Sequence, residues 1–244
     1  MKVFTFGEVM LRLKTPEHLK ILQADTFEAN YGGAEANVAV SLATLGDDVS
    51  YVTKVPEHQV GQAAVNEIRR FGVDTSRVLR GGGRVGIYYF EKGTNIRPTS
   101  VVYDRAYSAI AMAKAEEFDW EKLLDGVDFF YFSGITPAIS TEIEKALENA
   151  LALCREKKIQ VVCDLNYRGK MWSTKDAQRV MRRLMAYVDV CIANDEDFES
   201  SLGIPAYDGD MSRGIEQIES YKEGTLATAL QFGNCFWISS MPSL

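Results

Sequence analysis

The sequence predicts an α/β fold: an open, mostly parallel sheet flanked by helices, with a small β-lid at one edge. Three observations carry this. Buried-strand runs alternate with helical runs along most of the chain, the order that yields parallel strands joined by crossover helices. Residues 84–105 interrupt that order with two strand-like runs and no helix between them. A pair of glycines, Gly32 and Gly33, leads straight into a helical segment at 34–43.

The bulk numbers narrow the class of partner. The 244 residues are 46% hydrophobic and 25% charged, enough for one substantial core. A formal net charge of −7 argues against nucleic acid or an anionic membrane as the main partner. No apolar run reaches the roughly 18 residues of a membrane span. Residues 1–8 are too short an apolar run for a signal peptide, so the expectation is a cytoplasmic protein. Cys154, Cys163, Cys191 and Cys235 show no Cys-x-x-Cys spacing and read as buried thiols.

Residues 3–6 form a first buried strand, with Glu8, Met10 and Arg12 just past its end. Ligands sit at that edge of an open α/β sheet. Glu8 and Arg12 are therefore candidates to face a substrate, against the simpler role of surface ion pairs. Gly7 stands alone without G-x-G-x-x-G, which weighs against a dinucleotide site. Residues 14–31 read as a loop with a short strand near Phe27. Ala36, Val40 and Ala43, widened by Leu42 and Leu45, make the apolar face of the first helix. Gly32 and Gly33 allow a tight turn and close approach of a ligand. The helix start adds free N–H groups and a positive dipole end, and Asn37 can both donate and accept. Such a corner suits a polyol or an anion, or is simply a glycine turn before a core helix.

Residues 49–55 read as the second strand and 59–71 as a helix stopped by Gly72. Gly81-Gly82-Gly83 feeds a strand rather than a helix, so it is not a phosphate loop. The hairpin that follows carries Tyr89, Tyr103 and Arg105, which alternation would put on one face. Two phenols and a guanidinium suit a sugar acid. The alternative is a lid packed by aromatics with an exposed arginine.

In the second half, residues 127–132 form a strand. Thr141 and Glu144 form a capping box ahead of a helix to 157, striped by Ile143, Leu147, Ala150, Leu151 and Cys154. Strand 159–163 leads into Asp164-Leu165-Asn166-Tyr167-Arg168. Ser173 starts another helix, and strand 188–193 ends in Asn194-Asp195-Glu196-Asp197. Acidic residues there favour a helix dipole.

Residues 30–43 resemble the first signature of the ribokinase-like carbohydrate kinases of the phosphofructokinase-B type. Tyr88-Tyr89-Phe90, Val102-Tyr103-Asp104-Arg105 and Asp164-x-Asn166-x-Arg168 resemble the 2-keto-3-deoxygluconate kinases among them. The resemblance runs from residue 1 to about 223. It implies a ribokinase-like fold, with the lid drawn from 14–31 and 84–105, and ATP-dependent, Mg²⁺-dependent phosphorylation of a sugar acid. It implies that Gly33, Ala34 and Asn37 line the polyol end, and that Tyr89, Tyr103, Arg105 and Arg168 hold the sugar acid. Asn166 and Asn194 would lie by the nucleotide phosphates. Asp197 would order the metal through water, on a shorter arm than the family's glutamate. The resemblance also implies a homodimer through the lid. A fructokinase or another kinase of the same family is the second expectation, and a catalytically inactive sugar-acid-binding remnant the third.

Those kinases carry a later Gly-Ala-Gly-Asp, whose N–H groups hold phosphoryl oxygens and whose Asp is the base. Here Gly-Asp occurs only at Gly46-Asp47 and Gly209-Asp210, and neither follows Gly-Ala. Residues 224–244 contain no charged side chain, a run with a chance of roughly 0.2% if residues are independent. The expectation is an incomplete kinase domain over 1–223 and an atypical, truncated tail over 224–244, without a catalytic base and with little activity. The alternative for the tail is a buried hairpin with a strand at 234–239.

Overall fold

The computed structural model describes residues 1–204 and 236–239. The chain divides into two units, Met1–Asp119 and Trp120–Leu244.

The first unit runs β1 (Lys2–Phe6), β2 (Met10–Lys14), β3 (Glu28–Gly32), α1 (Ala34–Thr44), β4 (Asp48–Val52), β5 (Lys54–Val55), α2 (Gln59–Arg69), β6 (Leu79–Arg80), β7 (Gly86–Glu91) and β8 (Ser100–Asp104). β1 and β4 pair in parallel, from Lys2 opposite Asp48 to Phe6 opposite Val52. Phe4, Phe6 and Tyr51 of this pair are fully buried, and each phenylalanine contributes about 1.5–3 kcal/mol. The Tyr51 hydroxyl donates to the Gly7 carbonyl at 2.9 Å, so the buried phenol is satisfied. Burial, then the nearby Glu35 carboxylate, pushes it well above its usual value. α1 buries Glu35, Ala36 and Ala39, a face turned from the expected one, and Leu45 is 81% exposed. Small residues let the helix lie close on the strands.

The lid is a four-stranded sheet in the order β3-β2-β7-β8. β2 is antiparallel to β3 and parallel to β7, and β7 is antiparallel to β8. This corrects the expectation that residues 10–12 are only an edge beyond β1. Leu11 and Leu13 alternate with Arg12 and Lys14, a period-two signal that makes residues 10–14 an inner lid strand. The strand foreseen near Phe27 lies at Glu28–Gly32. The hairpin of 84–105 is present as β7 and β8.

The second unit runs α3 (Trp120–Leu123), β9 (Phe129–Ser133), α4 (Thr141–Lys157), β10 (Gln160–Asp164), α5 (Thr174–Leu184), β11 (Val190–Ala193), α6 (Asp195–Leu202) and β12 (Phe236–Ser239). β9, β10, β11 and β12 are parallel neighbours in that order. The α4 stripe of Ile143, Leu147, Ala150, Leu151 and Cys154 is fully buried. Its cap is Ser140 rather than Thr141: the Ser140 hydroxyl accepts from the Ile143 N–H at 3.3 Å, because Ser140 keeps extended backbone. Cys154, Cys163 and Cys191 are buried and form no disulfide, and burial pushes Cys154 up to about 12.

β12 pairs in parallel with β11, from Val190 opposite Phe236 to Ala193 opposite Ser239. The strand of the tail's hairpin alternative, expected at 234–239, is present at Phe236–Ser239, and the remainder of that hairpin lies outside the described residues. The expected boundary at 223, the charged helix-like run 215–223, Gly209-Asp210 and Cys235 lie outside the described residues. Among the described residues, no helix is long and apolar enough to cross a membrane.

Candidate functional site

The first unit gathers its polar groups around Glu8, in the link from β1 to β2. Glu8 is 3% exposed. Its Oε2 accepts from Arg105 Nε at 2.9 Å and also from Arg105 Nη2. Its Oε1 accepts from the Ser108 hydroxyl at 2.7 Å. Both oxygens of a buried carboxylate are thus used, as a desolvated charge requires. Gly86 makes room for this group, since a Cβ there would stand 2.7 Å from Oε1.

Gly33 caps α1 in extended backbone, with φ −174°, so its dihedrals do not demand glycine. Its neighbour does: a Cβ would overlap the Glu8 carbonyl oxygen. Ala34 opens α1, and the Asn37 N–H donates to the Gly33 carbonyl at 2.8 Å. The exposed Asn37 side chain lies beside the corner, its Oδ1 3.2 Å from where a Gly32 Cβ would stand. The glycine corner and Arg105 therefore meet at one residue, Glu8.

The lid register corrects one expectation. Directly opposed residues share a face, and Tyr103 lies opposite Tyr88 while Tyr89 lies opposite Val102. The Tyr88 and Tyr103 rings are 5.9 Å apart, and Arg12 joins them opposite Tyr88. Arg105 carries its guanidinium carbon 6.0 Å from the Tyr103 ring. Tyr89 points to the other face, 5.8 Å from the Phe27 ring. Alternation within each strand is readable from sequence, but the parity between strands depends on where they pair. Ser108 belongs to no motif and was not foreseen. The one local sign of its role is conformational: Tyr107 has φ +58°.

In the second unit, the loop after β10 meets the start of α6. Asn166 adopts φ +37°, a region asparagine enters more readily than most residues. The Tyr167 N–H donates to Asp197 Oδ1 at 2.8 Å, and Arg168 Nη1 donates to the Tyr167 carbonyl at 2.8 Å. Asn194 caps α6, its Oδ1 accepting from the Asp197 N–H at 2.7 Å. Gly134 lets the loop close, since a Cβ there would overlap the Leu165 carbonyl oxygen. Asn166, Arg168, Asn194 and Asp197 thus form one loop-and-cap cluster. Burial pushes the Asp197 carboxyl above its usual value, against the hydrogen bonds from Tyr167 and Asn194 and the Arg168 charge.

Among the described residues, no three His, Cys, Asp or Glu side chains converge to hold a metal. Magnesium needs only one or two carboxylates, with water and phosphate completing its shell. Asp197, with one oxygen engaged by the Tyr167 N–H, fits a water-mediated role.

The first unit thus sets an arginine beside a glycine corner, and the second ends parallel strands in capped polar loops. Residues 1–230 match the pfkB family carbohydrate kinases, and the chain belongs to that family. The family expected from residues 30–43 is therefore the right one, and the match runs past the expected boundary at 223. The fold is similar to that of 2-dehydro-3-deoxygluconokinase from Thermotoga maritima, at 50% identity and TM-score 0.90, covering 96% of this chain and 70% of that one. The 2-dehydro-3-deoxygalactonokinase of Haloferax volcanii is 36% identical over 209 residues, 86% of this chain and 64% of that protein. The 2-dehydro-3-deoxygluconokinase of Bacillus subtilis is 29% identical over 170 residues, 69% of this chain and 52% of that protein. The chain thus spans between half and two thirds of the length of these two relatives.

Proposed function

We propose that this chain carries the sugar-acid site of an ATP- and Mg²⁺-dependent kinase for 2-keto-3-deoxygluconate. The observation that supports this most is Arg105, a mostly buried guanidinium set beside the Gly33 corner through Glu8. A neutral hexose has no group that needs such an arginine, whereas a carboxylate meets its planar fork with two hydrogen bonds. Gly33, Ala34 and Asn37 take the polyol end. Arg168 adds positive charge for the sugar acid and the transferred phosphate, and Asn166 and Asn194 lie on the nucleotide side. Asp197 orders Mg²⁺ through water. Phosphoryl transfer draws mainly on positioning and charge neutralisation, which such groups supply.

Tyr89 and Tyr103 lie on opposite lid faces, so one of the two phenols serves the sugar and the other packs the lid. The Haloferax relative is named for the galactonate acid, which favours a second reading in which the C4 epimer is also accepted. Titration calorimetry of the purified chain with 2-keto-3-deoxygluconate, 2-keto-3-deoxygalactonate and fructose tests the reading. Both acids are expected to bind more tightly than fructose. Equal or tighter binding of fructose removes the sugar-acid assignment.

A further inference from the structure

We infer that Glu8 and Ser108 are positioning residues for Arg105: a buried clamp that sets the plane of the guanidinium and so separates sugar acids from neutral sugars. The inference rests on the sugar-acid reading above. Glu8 and Arg105 are 97 residues apart, and Glu8 and Ser108 100 apart, yet all three converge on one carboxylate. Several features of the chain accommodate that convergence. Gly86 leaves the space where a Cβ would press on Glu8 Oε1 and, at 3.2 Å, on the Arg105 Cβ. Gly33 abuts the Glu8 carbonyl. Tyr107 takes a left-handed conformation, φ +58°, which side chains other than glycine enter infrequently. That turn brings the Ser108 N–H to the Arg105 carbonyl at 3.3 Å and its hydroxyl to the carboxylate that holds Arg105. Ser108 is itself 1% exposed.

The clamp acts on direction. Glu8 grips the guanidinium along one edge, through Nε and Nη2. A planar fork held by one edge has a fixed plane, and a ligand carboxylate gains two hydrogen bonds only when it meets that plane. Because Glu8 already offsets the Arg105 charge, recognition of a second carboxylate depends on alignment more than on bare attraction. This gives the inference a sign. If Glu8 merely competed with the ligand for Arg105, removing its charge would tighten binding of the acid. If Glu8 aligns Arg105, removing its charge weakens binding although the site becomes more positive.

The test is calorimetry on the purified 244-residue chain, with 2-keto-3-deoxygluconate and fructose as ligands and thermal melting as a check that each variant is folded. Glu8→Gln is expected to weaken binding of the acid about 10-fold or more, the scale of a lost charge-assisted hydrogen bond, and to leave fructose within about 2-fold. Ser108→Ala is expected to weaken the acid by a smaller factor in the same direction. In an Arg105→Lys background, which keeps a cation beside Glu8 but lacks the planar fork, Glu8→Gln is expected to cost little further. Tighter acid binding by Glu8→Gln overturns the clamp, as does an equal fold-loss in both backgrounds or an equal loss for fructose. A wild-type chain that does not bind the acid overturns the sugar-acid reading and the clamp with it. A wild-type chain that binds the acid but fails the cycle overturns the clamp alone.

Discussion

The two units build their polar clusters in opposite ways. Around Glu8, side chain meets side chain across 97 and 100 residues, and a buried charge depends on a distant partner. Around Asp197, side chain meets backbone across 3 and 30 residues, and a helix cap does most of the holding. The first arrangement is costly to break, because an orphaned buried charge loses about 3–5 kcal/mol. The second is forgiving, because a lost cap costs about 0.5–2 kcal/mol. The cluster proposed to read the sugar acid is therefore rigid and sensitive, and the one proposed to face the phosphates is locally built and tolerant.

The largest effect that would sharpen this contrast is Arg105→Ala. It strands the Glu8 carboxylate, and chemical denaturation is expected to show a loss of about 3–5 kcal/mol. Adding Glu8→Gln to that variant should recover part of the loss. A simple sum of the two single effects would show that the pair does not act as one unit. Gly33→Ala comes next, at about 1–3 kcal/mol, because the new Cβ must displace the Glu8 carbonyl. A Gly33→Ala chain as stable as wild type would mean the corner has slack. Asn194→Ala should cost about 0.5–2 kcal/mol. A loss as large as that of Arg105→Ala would break the comparison.

The smallest effects lie in pH dependence and have opposite signs in the two units. Burial holds the Asp197 carboxyl above its ordinary value. Its contribution is full below the ordinary carboxylate range and fades as pH rises through the raised value. Wild type should therefore lose ground to Asp197→Asn as pH rises. In the first unit, burial raises Asp74, but the Ser76 N–H and hydroxyl, the Ser50 hydroxyl and the Arg77 charge outweigh it and hold it below its usual value. That contribution is present above the ordinary range and is lost as pH falls through the lowered value. Wild type should lose ground to Asp74→Asn on acidification. Thermal melts across the acid range distinguish these slopes, and slopes of the same sign would contradict the account.

Sequence separation also explains what was readable beforehand. The α4 stripe from Ile143 to Cys154 follows from periodicity within one helix, and the structure buries every residue of it. The glycine corner and the acidic helix start after residue 193 are local and were legible too; that Asn194 caps this helix was not read from the sequence. The role of Met10–Lys14 was hidden because five residues past a buried strand look like its fraying end, although Leu11 and Leu13 already alternate with charged neighbours. The opposed faces of Tyr89 and Tyr103 were hidden because parity is a property of pairing, not of either strand. Glu8 was visible as a candidate, but its buried partners were not, since nothing local ties residue 8 to residues 105 and 108. Ser140 displaced Thr141 as the cap through a backbone conformation that composition does not reveal.

The most direct test of the central claim is a crystal structure of the chain with 2-keto-3-deoxygluconate bound. The account predicts the ligand carboxylate within about 2.7–2.9 Å of an Arg105 guanidinium nitrogen, beside the Gly33 corner, with Glu8 still holding Arg105 Nε. A ligand carboxylate bound elsewhere, with Arg105 engaged only by the protein, would contradict it.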